Sequence, residues 1–107
     1  MTKPDELLSA IHRAVAEGRF FTTNHAIVEG QKDGVLPQEI EAVVGSGHLI
    51  EDYRPERDEC LLIGYTERDG LPLHVAVNFE NWDSVRAKTC YIPQTDQWLA
   101  DRIRKQR

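Results

Sequence analysis

The chain has 107 residues, of which 40% are hydrophobic and 29% are charged, and its formal net charge is −5. This length leaves room for one hydrophobic core, and the composition is that of a folded globular protein, so two independent cores and wholesale disorder are excluded. We predict a single domain over residues 1–107.

The net negative charge lies entirely in the first half of the chain. Residues 1–53 carry four Lys or Arg against nine Asp or Glu, whereas residues 54–107 carry nine of each. Overall acidity disfavours non-specific binding to a phosphate backbone, although a basic face in the second half could still attract one.

Three helices are predicted in the first half. Pro4 suits the first turn of a helix, Thr23 or Asn24 can cap a second, and Pro37 can open a third. The predicted elements are a helix over 4–18, a short strand at 20–21, a helix from His25 to Gly34, and a helix from Pro37 to 45–47.

The second half changes to the two-residue period of strands. The predicted strands cover 48–53, 59–67, 71–79 and 84–92, and a final helix covers 95–107. We therefore predict an α+β fold in which N-terminal helices pack on a four- to five-stranded, mainly antiparallel sheet with a C-terminal helix beside it.

Alternation assigns faces to the third and fourth of these strands. Leu73, Val75 and Val77 face the core, so the residues between them face outward. A three-residue loop would then pair Asn78 with Arg86, Ala76 with Lys88, and His74 with Cys90. This register predicts that His74, Asn78, Arg86 and Lys88 share one outer face, with Tyr91 on the opposite side unless a bulge turns it.

Several short motifs occur in a distinctive order. They are Thr23 with His25-Ala26, Gly47 to Tyr53 with Ile50, Leu73-His74-Val75, and Thr89 to Pro93. Over about residues 20–93 this pattern resembles the bacterial domain of unknown function 4258 family. The resemblance implies a likeness to compact toxins of toxin–antitoxin systems with a RelE-like or ParE-like fold. Relatives commonly carry arginines where this chain has Glu29 and Lys32-Asp33. If those arginines bind phosphates in the relatives, this chain has lost part of that phosphate-binding site.

The leading hypothesis is an RNA-binding or RNA-cleaving protein that needs no metal. His25 and His74 are the candidate catalytic residues, because imidazole transfers protons near neutral pH. Arg86, Lys88 and Asn78 are the candidate substrate-binding residues. Structural alternatives stay open: His25 could orient a helix start, His74 could pack across strands, and the charges could be a solvated strand face.

The second hypothesis is a non-catalytic protein-interaction module or an inactivated toxin relative. Expected partners are RNA or the ribosome, a cognate antitoxin, or a second copy bound through Trp82 or Trp98. No metal or other cofactor is expected, because Cys60 and Cys90 lack metal-ligand spacing. We expect a cytoplasmic protein without membrane contact, since no signal peptide or long apolar run is present.

Overall fold

The computed structural model describes residues 3–95 and 97–105 of the chain. Three helices and a five-stranded sheet form an α+β fold, followed by a short two-stranded hairpin. The elements are α1 (Pro4–Ala16), β1 (Phe20–Thr22), α2 (Asn24–Lys32), α3 (Pro37–Ser46), β2 (His48–Asp52), β3 (Glu59–Tyr65), β4 (Pro72–Asn78), β5 (Val85–Tyr91), β6 (Trp98–Leu99) and β7 (Ile103–Arg104).

The three predicted helices begin where their sequence signals indicate. Pro4 and Pro37 each occupy the first turn of a helix, where the missing N–H costs nothing. Thr23 caps α2, because its hydroxyl accepts a hydrogen bond from the Ala26 N–H at 3.1 Å. The chain leaves α1 through Gly18, whose φ of 75° suits glycine.

The sheet has the strand order β1-β5-β4-β3-β2, with β1 parallel to β5 and every other pairing antiparallel. The prediction of a mainly antiparallel sheet is therefore confirmed. One face packs against apolar side chains of α1 and α3 to form the core, which includes Leu7, Ile11, Ile40, Val44, Leu62, Val75 and Val77. Within residues 3–95 and 97–105, no helix is long and apolar enough to cross a membrane.

The predicted C-terminal helix is wrong over the described residues 97–105. Trp98 pairs with Arg104, and Leu99 pairs with Ile103, in an antiparallel hairpin that we call the C-terminal hairpin. Its turn contains two residues with positive φ, Ala100 at 50° and Asp101 at 63°, which a right-handed helix does not allow. Tertiary burial of Trp98, which is 2% exposed, overrides the helix-like spacing of the apolar residues.

The predicted register between β4 and β5 is correct at one end only. Asn78 pairs with Arg86 as expected, but a bulge follows and shifts the remaining pairs by one residue. The observed pairs are Ala76 with Thr89, Val75 with Cys90, and His74 with Tyr91, so the predicted pairs of Ala76 with Lys88 and His74 with Cys90 are wrong. The bulge turns Cys90 into the core and Tyr91 to the outer face, opposite His74.

Candidate functional site

The face of the sheet opposite α1 and α3 carries an open groove of about 580 Å³, which we call the sheet groove. Leu61 and Ala76 lie at its floor and pair across β3 and β4. The other lining residues on which its chemistry depends are aromatic (Tyr53, Tyr91, Trp98), basic (Arg57, Lys88, Arg104) and acidic (Asp33, Glu59). The groove thus combines aromatic, cationic and anionic groups over a small apolar floor.

Glu59 is the acidic centre of the sheet groove. Its Oε2 accepts hydrogen bonds from Lys88 Nζ at 2.9 Å and from Asn78 Nδ2 at 3.1 Å, and Arg57 Nη1 lies 3.8 Å from its Oε1. Burial alone would raise the pKa of Glu59, but the hydrogen bonds from Lys88 and Asn78 outweigh it and lower the pKa below its ordinary value. Glu59 is therefore ionised at neutral pH.

A second ion pair lies between the sheet groove and the edge strand β2. Arg104 Nη2 is 3.1 Å from Glu51 Oε1, and its guanidinium carbon lies 4.5 Å from the centre of the Trp98 ring. The Tyr53 hydroxyl donates to the same Glu51 oxygen at 2.5 Å. Burial and this hydrogen bond raise the pKa of Tyr53, so its phenol stays protonated and continues to donate to Glu51.

Each of the three basic groups in the sheet groove thus has an acidic partner. Lys88 and Arg57 lie beside Glu59, and Arg104 lies beside Glu51. The side chains of the three basic residues are each more than half exposed, so an anionic ligand can approach them from solvent. Such a ligand must compete with the two carboxylates for these cations.

His74 is not accessible in the way the sequence predicts. Its residue is 0% exposed, because the C-terminal hairpin covers it. Its Nε2 lies 2.5 Å from the Asp101 carbonyl oxygen and its Nδ1 lies 3.3 Å from the Tyr91 hydroxyl. The expectation of an exposed ring was wrong because the sequence pattern gave no sign of a hairpin folding over β4. This burial favours a positioning role over direct contact with a ligand.

His25 lies in the exposed first turn of α2, and α2 packs along β5. Among the described residues, no hydrogen bond joins His25 to His74. The two predicted catalytic residues thus lie on separate elements, one exposed and one buried. Their catalytic roles stay predictions.

The predicted substrate-binding residues separate into three positions. Lys88 lines the sheet groove, and Asn78 is buried beside it, where its amide also accepts a hydrogen bond from the Glu80 N–H at 3.1 Å. Arg86 lies further along β5 and is 3.9 Å from Glu80. Lys88 is therefore the one of the three that lines the groove, while Asn78 orients its acidic centre.

Sequence reasoning named neither Arg57 nor Glu59 as a site residue, and it considered Arg104 only as part of a basic tail over 102–107 that could reach RNA or an acidic partner. Glu59 could have been predicted from the sequence. Alternation along β3 places it on the same face as Leu61, which pairs with outward-facing Ala76. Arg57 lies in the loop between β2 and β3, and Arg104 lies in the C-terminal hairpin, so no strand periodicity indicated either one. Their position depends on tertiary contacts.

Within the described residues, no cluster of side chains supports metal binding, and neither cysteine is placed for nucleophilic chemistry. No three His, Cys, Asp or Glu side chains lie where they could hold a metal ion in residues 3–95 and 97–105. Cys60 and Cys90 are free and buried. Burial raises the pKa of the Cys60 thiol to about 12 and that of the Cys90 thiol to about 11, so neither is a thiolate nucleophile near neutral pH.

Comparison with known protein families identifies the family to which this sequence belongs. The sequence model of the family described as "Domain of unknown function (DUF4258)" matches residues 22–91, which include β1 from Thr22, α2, α3 and β2 to β5. Searches of curated proteins and of solved structures give no match. Because the family match covers more than half of the chain, this protein belongs to the DUF4258 family.

Proposed function

We propose that this protein is a toxin-like domain of a bacterial toxin–antitoxin system that binds single-stranded RNA in the sheet groove. The observation that carries the proposal is the convergence of three cations and three aromatic rings over an apolar floor. Cationic side chains bind phosphates, and an aromatic ring at the surface of a groove can stack with an unpaired base. Trp98 is buried beneath Arg104, and Arg57 lies over the Tyr53 ring, so half-buried Tyr91 is the ring left for stacking. The packing of helices on one face, with a groove on the other, also supports a RelE-like or ParE-like arrangement.

The geometry supports binding better than cleavage. Metal-independent cleavage needs a proton acceptor in contact with the RNA, and His74 is buried under the C-terminal hairpin. Glu59 lines the sheet groove, but its lowered pKa makes it a weak base at neutral pH. The proposal also includes RNA cleavage with His25 or His74 as the catalytic residue, which the geometry supports less than RNA binding.

The salt dependence of RNA affinity tests the proposal. If Arg57, Lys88 and Arg104 each contact one phosphate, the logarithm of the association constant should fall with the logarithm of salt concentration with a slope of about −2. Affinity should then fall about 20-fold for a fourfold rise in salt. Fluorescence anisotropy with a short labelled RNA measures this slope directly.

Matched variants assign the slope to the sheet groove. Lys88→Ala should reduce the magnitude of the slope by about 0.7. The control is Arg13→Ala, which removes a charge of the same sign from an exposed position on α1, away from the groove. Equal slopes for the two variants, or no RNA affinity at any salt concentration, would refute the proposal.

A non-catalytic protein-interaction module is the second candidate function. It is favoured by the pairing of the groove's three cations with acidic side chains and by the net charge of −5. Leu99 and Ile103, paired on the C-terminal hairpin, are 57% and 62% exposed and offer an apolar contact for an antitoxin or a second copy. This candidate predicts no RNA affinity and a partner co-purifying when the neighbouring gene is expressed together with this one.

A further inference from the structure

His74 is the buried centre of the contact between β4 and the C-terminal hairpin. Its ring centre lies 4.4 Å from that of Trp98 at an interplanar angle of 88°, and 5.2 Å from that of Tyr91 at 63°. Both contacts have the edge-to-face geometry that aromatic rings prefer. The two rings that His74 contacts both line the sheet groove.

The hydrogen bonds of His74 define one orientation and one tautomer. The Asp101 carbonyl oxygen can only accept, so His74 Nε2 carries the proton and donates to it across 2.5 Å. Nδ1 of the neutral ring is then an acceptor, which receives the Tyr91 hydroxyl at 3.3 Å. A single side chain thereby fixes the turn of the C-terminal hairpin and the hydroxyl of Tyr91.

The C-terminal hairpin needs such an anchor. Its strands are two residues each, and a two-stranded hairpin of this length is unstable by itself in water. Its turn also holds Ala100 and Asp101 at positive φ, where a side chain costs energy. The other described polar contacts of the hairpin with the sheet, from Arg104 to Glu51 and from Arg102 to Tyr65, lie at the surface.

We propose that His74 is a positioning residue that holds the C-terminal hairpin in place as one wall of the sheet groove. Trp98 and Arg104 reach the groove from this hairpin, so the imidazole ring that fixes the hairpin also fixes the Trp98 ring and the cation that lies over it. This inference rests on the proposed function, and the ligand class it concerns is single-stranded RNA. A phosphate of the RNA contacts Arg104, which the buried Trp98 ring supports from below.

The test replaces His74 in a Trp82→Phe background, which leaves Trp98 as the only tryptophan of the chain. His74→Phe keeps an aromatic ring but removes both hydrogen bonds. His74→Gln is the conservative variant, because its amide N–H can reach the Asp101 carbonyl. Three readouts are hydrogen exchange of the Lys105 amide, which donates to the Gln97 carbonyl at 2.8 Å, the emission maximum of Trp98, and RNA affinity.

For His74→Phe we expect faster exchange of the Lys105 amide, a red-shifted Trp98 emission and an RNA affinity about tenfold lower, while amides in the core strands keep their protection. His74→Gln should restore all three readouts at least in part. Wild-type exchange and emission in His74→Phe would overturn the inference. If all three readouts change in His74→Phe and none recovers in His74→Gln, the inference is overturned too.

A second pair of variants tests the hairpin without altering the sheet, in case His74→Phe does not fold. Asp101→Pro cannot keep the φ of 63° at this position, whereas Asp101→Gly can. The proline variant should loosen the hairpin and weaken RNA binding, and the glycine variant should not. Identical exchange of the Lys105 amide in both variants would overturn the inference. A wild type that binds no RNA, but whose hairpin loosens in His74→Phe, would refute the proposed function while supporting the positioning of the hairpin by His74.

Discussion

Replacing Glu59 with Gln should strengthen RNA binding. In the structure the Glu59 carboxylate accepts from Lys88 at 2.9 Å and lies 3.8 Å from Arg57. It therefore neutralises two of the three cations on which phosphate binding depends. The amide of Gln keeps the shape and one acceptor oxygen but removes the negative charge, so Lys88 and Arg57 become free to bind a phosphate.

The expected magnitude follows from Coulomb's law. A carboxylate and a phosphate about 5 Å apart repel by about 1 kcal/mol in water and by about 3 kcal/mol at the effective dielectric of a protein surface. The sheet groove is open, and the Lys88 side chain is 52% exposed, so the lower value applies. We expect RNA affinity to rise about fivefold in Glu59→Gln. Glu59 is buried while Lys88 and Arg57 are half exposed, so loss of these ion pairs should cost about 1 to 2 kcal/mol of folding stability.

The assay is fluorescence anisotropy with a labelled single-stranded RNA at about 0.1 M salt. The matched control is Glu41→Gln, which changes the net charge by the same amount from an exposed position on α3. The gain in Glu59→Gln should disappear when Lys88→Ala is added. Weaker binding in Glu59→Gln, or a gain equal to that in Glu41→Gln, would show that no phosphate lies near Glu59 and refute the reasoning.

Three further predictions concern stability. Burial lowers the folded-state pKa of His74 below 6.5, so the unfolded state takes up its proton first, and stability should fall as pH drops below about 6.5. Urea titrations should show a larger loss of stability below about pH 6.5 in the wild type than in His74→Gln, and equal losses would contradict the burial of His74. Thr23→Ala removes the cap of α2 and should cost about 1 kcal/mol in the same titration, whereas an unchanged midpoint would contradict the cap. Gly47→Ala would place its methyl group 2.5 Å and 2.6 Å from the carbonyl oxygens of Val43 and Ile63, so we expect a loss of about 2 kcal/mol or more, and a variant as stable as the wild type in thermal unfolding would refute that packing.

Local signals predicted the helices and strands well because they act within a few residues. The prolines that open α1 and α3 and the threonine that caps α2 all lie where the sequence indicated. Burial of alternate residues in β4 likewise predicted its core face and the pair of Asn78 with Arg86. The family resemblance was confirmed by the match over residues 22–91.

Two features were beyond local reasoning, and both change the site. The bulge that brings Tyr91 opposite His74 adds one residue to β5, and no turn or proline marks it. The C-terminal hairpin is stabilised by its contact with β4, since the spacing of its apolar residues fits a helix equally well. These two features decide that His74 is buried and that Arg104 reaches the sheet groove.

The most direct test of the account is NMR mapping of the RNA-contacting residues. Titration of a short single-stranded RNA into the labelled protein should shift the amide signals of Ala76 and Thr89 and the indole signal of Trp98, which all lie in the sheet groove. Signals of exposed α1 residues such as Ser9 and Arg13 should stay unchanged. Shifts confined to α1, or no shifts at RNA concentrations well above those of the protein, would contradict RNA binding in the sheet groove.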